Sequence, residues 1–196
     1  NQIRDIVKKY DLYLFSDEVY REFVYSDQRI VSLAEFPDVV ENVVIIDSIS
    51  KRFSACGARI GALISRNKEL IGQALKVCQG RLCSSTLDQL GAAALYEAGP
   101  AYFAAQKEEY HRRRDTVMRK LGEIPGVVCK CPEGAFYLMV KLPVDDADAF
   151  QKGLLTDFED HGDTVMFAPG EQFYGTPGKG RSEIRIAYVL KQEDLE

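Results

Sequence analysis

The chain has 196 residues, of which 46% are apolar and 28% charged, so it is long enough for real hydrophobic cores and ordinary for a globular protein. Its net charge of −5 gives no electrostatic footprint for nucleic acid or an acidic membrane surface. The longest apolar runs, such as Val43–Ile46, are far too short to span a bilayer.

The sequence opens on Asn1, without methionine and within a predicted helix (Asn1–Lys9), which reads as a piece of a longer chain. Three short apolar runs follow, Leu12–Phe15 ending in Ser16-Asp17, Val43–Asp47 and Ile60–Ser65. Such runs, separated by loops or helices, predict strands of a sheet buried on both faces. Helices are predicted over Asn67–Gln79, with an Asn cap and Glu69 in the first turn, and over Ser85–Ala98. After the Gly99-Pro100 break comes a long amphipathic helix, roughly Ala101–Leu121. Its Arg112-Arg113-Arg114 run, interleaved with Glu108, Glu109 and Asp115, reads as a solvated face. Beyond Pro125-Gly126 the pattern becomes α+β. Strands are predicted at Val127–Lys130, Ala135–Leu142, Thr164–Ala168 and Glu183–Val189, with a helix at Ala147–His161. The boundary is placed in the long helix, giving domains 1–108 and 109–196.

Five cysteines, Cys56, Cys78, Cys83, Cys129 and Cys131, form neither an even disulfide framework nor a zinc spacing, and are expected as reduced thiols in the cytoplasm. His111 and His161 sit in polar, helix-patterned surroundings and are read as surface histidines. No metal site is expected.

The strongest chemical signal is the stretch Ser48-Ile49-Ser50-Lys51, followed by Gly57, by Arg59 eight residues after the lysine, and by Gly61. It sits between two predicted strands. Serine hydroxyls donate to phosphate oxygens, an arginine grips two of them at once, and glycines permit close backbone approach. A partly desolvated lysine near that arginine would have its amine form favoured, as a Schiff base requires. A surface loop with an incidental lysine and arginine is the plain alternative.

This stretch resembles the lysine signature of the fold-type I pyridoxal-phosphate aminotransferases, S-x-S-K followed by G-x-R-x-G. Residue by residue, the resemblance implies Lys51 as the Schiff-base lysine and general base, with Ser48 and Arg59 on the phosphate and Ser50 matching the motif among the cofactor-binding residues. Asp17-Glu18-Val19-Tyr20 resembles the family's D-E-x-Y, which implies Asp17 on the pyridinium nitrogen and Tyr20 on the ring hydroxyl oxygen. Pro132-Glu133-Gly134-Ala135-Phe136-Tyr137 and Pro169-Gly170-Glu171-Gln172-Phe173 resemble two further turn-and-core elements, with their aromatics toward the substrate. In Ile184-Arg185-Ile186 the period-two alternation turns Arg185 away from the core, and the resemblance makes it the binder of a substrate α-carboxylate.

The implied fold is α/β: the C-terminal part of a large cofactor-binding domain, with a mostly parallel sheet and helices, followed by a small α+β domain. The implied activity is transfer of an amino group between an amino acid and a 2-oxo acid by a cytoplasmic homodimer using pyridoxal 5'-phosphate. The segment Ser50–Asn67 is most similar to a bacterial subgroup of aspartate aminotransferases, so aspartate with 2-oxoglutarate is the expected pair. A β-eliminating lyase, an aminocyclopropane-carboxylate synthase, or a ligand-sensing aminotransferase-like domain of a transcriptional regulator would carry the same residues. The family's Gly loop and ring-stacking aromatic have no counterpart before Asp17. The 196 residues alone are therefore expected to bind the cofactor weakly, to lack activity and to associate through apolar surface.

Overall fold

A computed structural model describes residues 1–195, which divide into two compact units, Asn1–Ala105 and Gln106–Glu196.

The first unit is built on β1 (Leu14–Asp17), β2 (Val43–Ser48) and β3 (Gly61–Ser65). β1 runs parallel to β2, which pairs antiparallel with β3, giving the order β1-β2-β3. Alternation along β2 sends Val43 and Ile45 to one face and Val44 and Ile46 to the other. The first pair packs with Val7 of α1 (Gln2–Tyr10), with Val39, and with the partly buried Leu14, Leu33 and Phe36. A capping box at Ser32, with Glu35 reaching back to the Ser32 backbone N–H, pins the turn that carries Leu33.

Burial on both faces holds for the central strand alone. Phe15 of β1 is 63% exposed and Ile64 of β3 is 51% exposed. The physical reason lies in strand position: β1 and β3 are the edges of this sheet, and only β2 has a neighbour on each side.

β2 passes directly into a single helical turn, α2 (Ile49–Arg52). Ile49 and Phe53 pack with Ala92 and with the partly buried Ile60, Leu95 and Phe103. α3 (Lys68–Gln79) is capped by Asn67, whose side chain accepts from the Leu70 N–H at 2.9 Å, and α4 (Thr86–Leu95) by Ser85. α5 (Pro100–Gly122) contains the division between the two units.

The second unit is an antiparallel sheet of β4 (Val128–Cys129), β5 (Tyr137–Lys141), β6 (Ala168–Pro169) and β7 (Glu183–Ala187), in the order β4-β5-β7-β6, with α6 (Ala147–Thr156). Leu138 and Val140 on β5 and Ile184 on β7 are buried on one face, together with Phe136, Ala147, Val117 of α5 and Tyr188.

Several boundaries differ from the sequence pattern. The strand expected at Thr164–Ala168 is paired only at Ala168–Pro169. Val165 and Met166 are both exposed, and the Phe167 N–H donates to the Gln151 side chain rather than to a strand. α6 stops at Thr156, short of His161, where the Thr156 hydroxyl donates back to the Lys152 carbonyl. His161 (φ 53) and Gly162 (φ 88) then occupy the centre of a tight turn closed by reciprocal Asp160–Asp163 backbone bonds. His161 is thus a turn residue. His111 has an ion-pair neighbour one turn on, Asp115 at 3.5 Å.

The arginine run is not a uniformly solvated face. Arg112 pairs with Glu109, but Arg113 donates to the Val189 carbonyl at 2.8 Å and Arg114 to the Pro132 carbonyl at 3.2 Å, tying α5 to two loops. All five cysteines are free thiols. Burial pushes the Cys129 thiol pKa up, assisted by Cys131. Among the described residues no helix is long and apolar enough to cross a membrane.

Candidate active site

The parallel pairing of β1 and β2 is what assembles the site in the first unit. Asp17, the last residue of β1, lies opposite Ile46, and the Glu18 N–H continues the ladder to the Ile46 carbonyl at 2.9 Å. Two residues beyond Ile46, β2 ends at Ser48 and α2 begins. Asp17 and the Ser48–Lys51 turn therefore leave the sheet at one edge, the carboxyl ends of two parallel strands, where α/β folds place their ligands.

The Asp17 carboxylate is exposed and accepts a long 3.3 Å bond from the Val19 N–H. Tyr20 is half-buried beside Phe23, with ring centroids 6.3 Å apart. Lys51 is half-buried on α2. Ser48 serves as N-cap of that turn: its hydroxyl accepts from the Ser50 N–H at 3.1 Å and donates to the Ile60 carbonyl at 3.0 Å. The Ser50 hydroxyl lies 2.8 Å from Ser48 Oγ. Since Ser48 has one proton and the carbonyl cannot donate, a Ser48 that donates to Ile60 accepts the Ser50 proton, and Ser50 reaches an anion only by turning away from Ser48.

Arg59 has a left-handed backbone (φ 56), which costs a non-glycine residue about 1–2 kcal/mol. Its Nη1 donates to the Cys56 carbonyl at 2.9 Å. The exposed side chain lines a cavity of about 500 Å³ together with Arg81, Ser84, Ser85 and Asp88, and Lys51 is not among its walls. A Cβ on Gly61 would stand 3.3 Å from the Asp47 carbonyl, so the strand approaches its neighbour more closely there than most side chains allow.

Arg185 lies in the second unit. On β7 it faces Met139 across β5 and Ala168 across β6. Tyr137 is its diagonal neighbour on the same face of the sheet. The Arg185 guanidinium sits between two rings, 4.7 Å from the Tyr137 centroid and 4.6 Å from that of Phe173. Phe173 is delivered by a short 3-10 turn after Gly170, whose N–H donates to the Glu183 carbonyl at 2.6 Å. A Cβ on Gly170 would meet that carbonyl oxygen at 2.7 Å, so the turn needs glycine. Next to it the Tyr174 hydroxyl donates to Glu183 at 2.5 Å, a bond that raises the phenol's pKa. Among the described residues no carboxylate pairs with Arg185, so its planar donors face the surroundings while the rings fix its position.

The sequence pattern did not single out the charged residues beside the site. Asp47 and Arg52 are buried and paired, Arg21 adds a second cation to Asp47, and Glu18 is buried under the Ser16 and Ser32 hydroxyls. The only trace in the sequence is a charge at the end of an apolar run, Asp47, with an arginine five residues later. Among the described residues no group of three or more His, Cys, Asp or Glu side chains could hold a metal ion.

A family model described as aminotransferase class I and II matches residues 1–196. The aspartate aminotransferase of Bacillus subtilis (strain 168) is 30% identical over 201 residues, covering 98% of this chain and 48% of that protein. Among solved structures, the aromatic aminotransferase from Pyrococcus horikoshii OT3 superposes with a TM-score of 0.81 at 29% identity, covering 100% of this chain and 51% of its own. The N-succinyldiaminopimelate aminotransferase from Mycobacterium tuberculosis gives a TM-score of 0.86 at 25% identity, covering 98% and 50%. The chain thus spans about half the length of the relatives it matches.

Proposed function

Because the chain belongs to the class I and II aminotransferases, we propose that it carries the cofactor lysine and the substrate-carboxylate arginine of a pyridoxal-phosphate-dependent transaminase. The observation that carries this reading is the parallel β1–β2 pairing, which sends Asp17 and the Ser48–Lys51 turn out of one sheet edge.

The donor set fits the cofactor. Lys51 offers an amine for a covalent bond to its aldehyde carbon. Asp17 offers an exposed carboxylate for the pyridine nitrogen, Tyr20 a phenol for the ring oxygen, and Ser50 and Arg59 donors for a phosphate. Ser48 acts one step back, holding the turn from which Lys51 and Ser50 project. When bound, the cofactor supplies an electron-withdrawing ring that takes up charge developing at the amino acid's α-carbon.

The remaining work falls to the chain. Arg185, braced by Tyr137 and Phe173, grips the substrate α-carboxylate through two parallel N–H bonds. Lys51 Nζ would serve as the general base for the substrate's α-proton, a role worth typically about 10²–10⁴-fold. Asp17 would hold a proton on the pyridine nitrogen by its charge, which is the condition for the ring to take up the charge developing at the α-carbon.

For the substrates we take an amino acid and a 2-oxo acid, with aspartate and 2-oxoglutarate as the specific pair. The name of the Bacillus relative and the resemblance across Ser50–Asn67 support aspartate, while relatives named for other amino acids show how widely this fold varies its substrate. We take the whole protein to be a cytoplasmic homodimer. The decisive experiment is borohydride reduction of the cofactor-loaded full-length protein followed by peptide mass mapping. The pyridoxyl label is expected on Lys51, and a label on any other lysine removes Lys51 from this role.

A further inference from the structure

An ion network with Asp47, Arg52 and Glu18 buried and Arg21 at the surface runs beside the residues assigned to the cofactor. The Asp47 side chain is 6% exposed and takes Arg52 Nη2 at 3.2 and 2.9 Å, Arg21 Nη2 at 3.2 Å and the Ser48 N–H at 2.8 Å. Arg52, 4% exposed, also places Nε 3.5 Å from Glu22 and its guanidinium 5.8 Å from the Tyr96 ring centroid. Arg21 continues to Glu18 at 4.0 Å, and Glu18 accepts the Ser32 and Ser16 hydroxyls at 2.7 and 3.2 Å.

Nearly every member is a chain neighbour of a residue with a chemical role. Ser16 and Glu18 flank Asp17, and Arg21 and Glu22 follow Tyr20. Asp47 precedes Ser48, and Arg52 follows Lys51.

Stability alone is a poor reason for such a network, because well-packed apolar residues often do as well where buried ions stand. A planar guanidinium whose Nη2 meets both Asp47 oxygens while its Nε faces Glu22 supplies orientation instead. α2 needs it. It is one turn of four residues, too short to persist on its own helical propensity. Successive helical residues point about 100° apart, so fixing Arg52 inward fixes the direction in which Lys51 leaves the turn. Through Asp47 and Arg21 the same anchor reaches the segment that carries Asp17 and Tyr20.

We infer that Arg52, clamped by Asp47, is a positioning residue that sets the direction of Lys51 relative to Asp17. This rests on the reading of Lys51 as the cofactor lysine, and the experiment separates the two. In the full-length protein, borohydride trapping is first done on the parent chain, where a label away from Lys51 defeats both. With the label on Lys51, Arg52→Lys and Asp47→Asn are compared with the parent for cofactor dissociation constant, for visible circular dichroism of the bound cofactor, and for amide exchange of residues 50–53. Each variant is expected to weaken cofactor binding about tenfold, to diminish the visible dichroism and to speed exchange in α2, and the double variant to be little worse than the poorer single, as coupled residues behave. Lysine keeps the charge of Arg52 but has one nitrogen where Nη2 meets Asp47 and Nε faces Glu22, so a loss in Arg52→Lys is specific to orientation. If one variant fails to fold, the other carries the same readouts. Lowered melting temperature with unchanged dichroism and cofactor affinity within about twofold of the parent would make the network a stability feature only and overturn the inference.

Discussion

Arg185 has its guanidinium fixed between Tyr137 and Phe173, and among the described residues no carboxylate pairs with it. A flat cation held by its faces presents its N–H edge outward, the geometry that meets a carboxylate in two parallel bonds. Lysine at this position keeps the charge and loses both the stacking and the second bond. Arg185→Lys is therefore expected to raise KM for the amino acid by about tenfold or more while the Lys51 label after borohydride persists. Steady-state kinetics on the full-length protein check this, and an unchanged KM would take Arg185 out of carboxylate binding. Asp17 makes the opposite kind of prediction. Its carboxylate acts by charge on the cofactor ring, where demand peaks as the α-proton leaves. Asp17→Asn is expected to lower kcat by about 100-fold or more with a smaller change in KM, since an interaction strengthened only at the transition state shows itself in kcat. A variant with near-normal kcat would leave Asp17 as a strand-end residue whose carboxylate merely accepts the Val19 N–H.

At the scale of elements, α6 offers a test that does not depend on any ligand. Asp146 caps the helix by accepting the Ala149 N–H at 2.9 Å and pairs with Arg181 at 3.0 Å. The Ala149 N–H first and the Arg181 side chain second hold its carboxyl below the ordinary carboxylate pKa. A depressed pKa means stability that is present above the unfolded value and is lost as pH falls through the folded one. Asp146→Ala is thus expected to lower the melting temperature at pH 7, with the gap to the parent closing as pH drops below about 4. A gap that stays constant to pH 3 would assign the cap no charge-dependent part. Elements of this kind were readable from sequence because their causes are local. Asn67 and Ser85 cap the helices they precede, and the alternation of Ile184-Arg185-Ile186 survives as a buried Ile184 opposite a buried Val140. What escaped the pattern depends on contacts distant in sequence. The strand expected over Thr164–Ala168 forms only at Ala168, and Gln151, on another element, takes the Phe167 N–H. The bond from the Ser48 hydroxyl to the Ile60 carbonyl is likewise announced by nothing local. The partners of Arg185 come together only when strands pair, and no one-dimensional spacing reports that a ring delivered by the Gly170 turn will stand 4.6 Å from a guanidinium on β7.

For the molecule as a whole, the uneven covering of the first unit's sheet has a consequence in solution. β2 is buried, whereas Tyr13 and Phe15 beside it are 61% and 63% exposed and, with Leu63 and Val77, wall an apolar hollow of about 410 Å³ between the strands and α3. Leu87 and Leu90 of α4 add further exposure, at 81% and 65%. Contiguous apolar surface of this kind on a chain of 22.0 kDa marks a place where protein covers protein, and left open it drives association. The charge of −5 opposes that only weakly, since at ordinary ionic strength it is screened within about 8 Å. The 196 residues, purified by themselves, are therefore expected to associate in the micromolar range, with a mass by light scattering that rises with concentration. Val77→Glu together with Leu87→Lys places charge on two exposed helical positions without removing any buried group, so folding should survive while the mass falls toward that of a single chain. Far-UV circular dichroism verifies the fold of the variant. A parent chain that stays at 22.0 kDa at every concentration would show that these apolar side chains do not act as a docking surface.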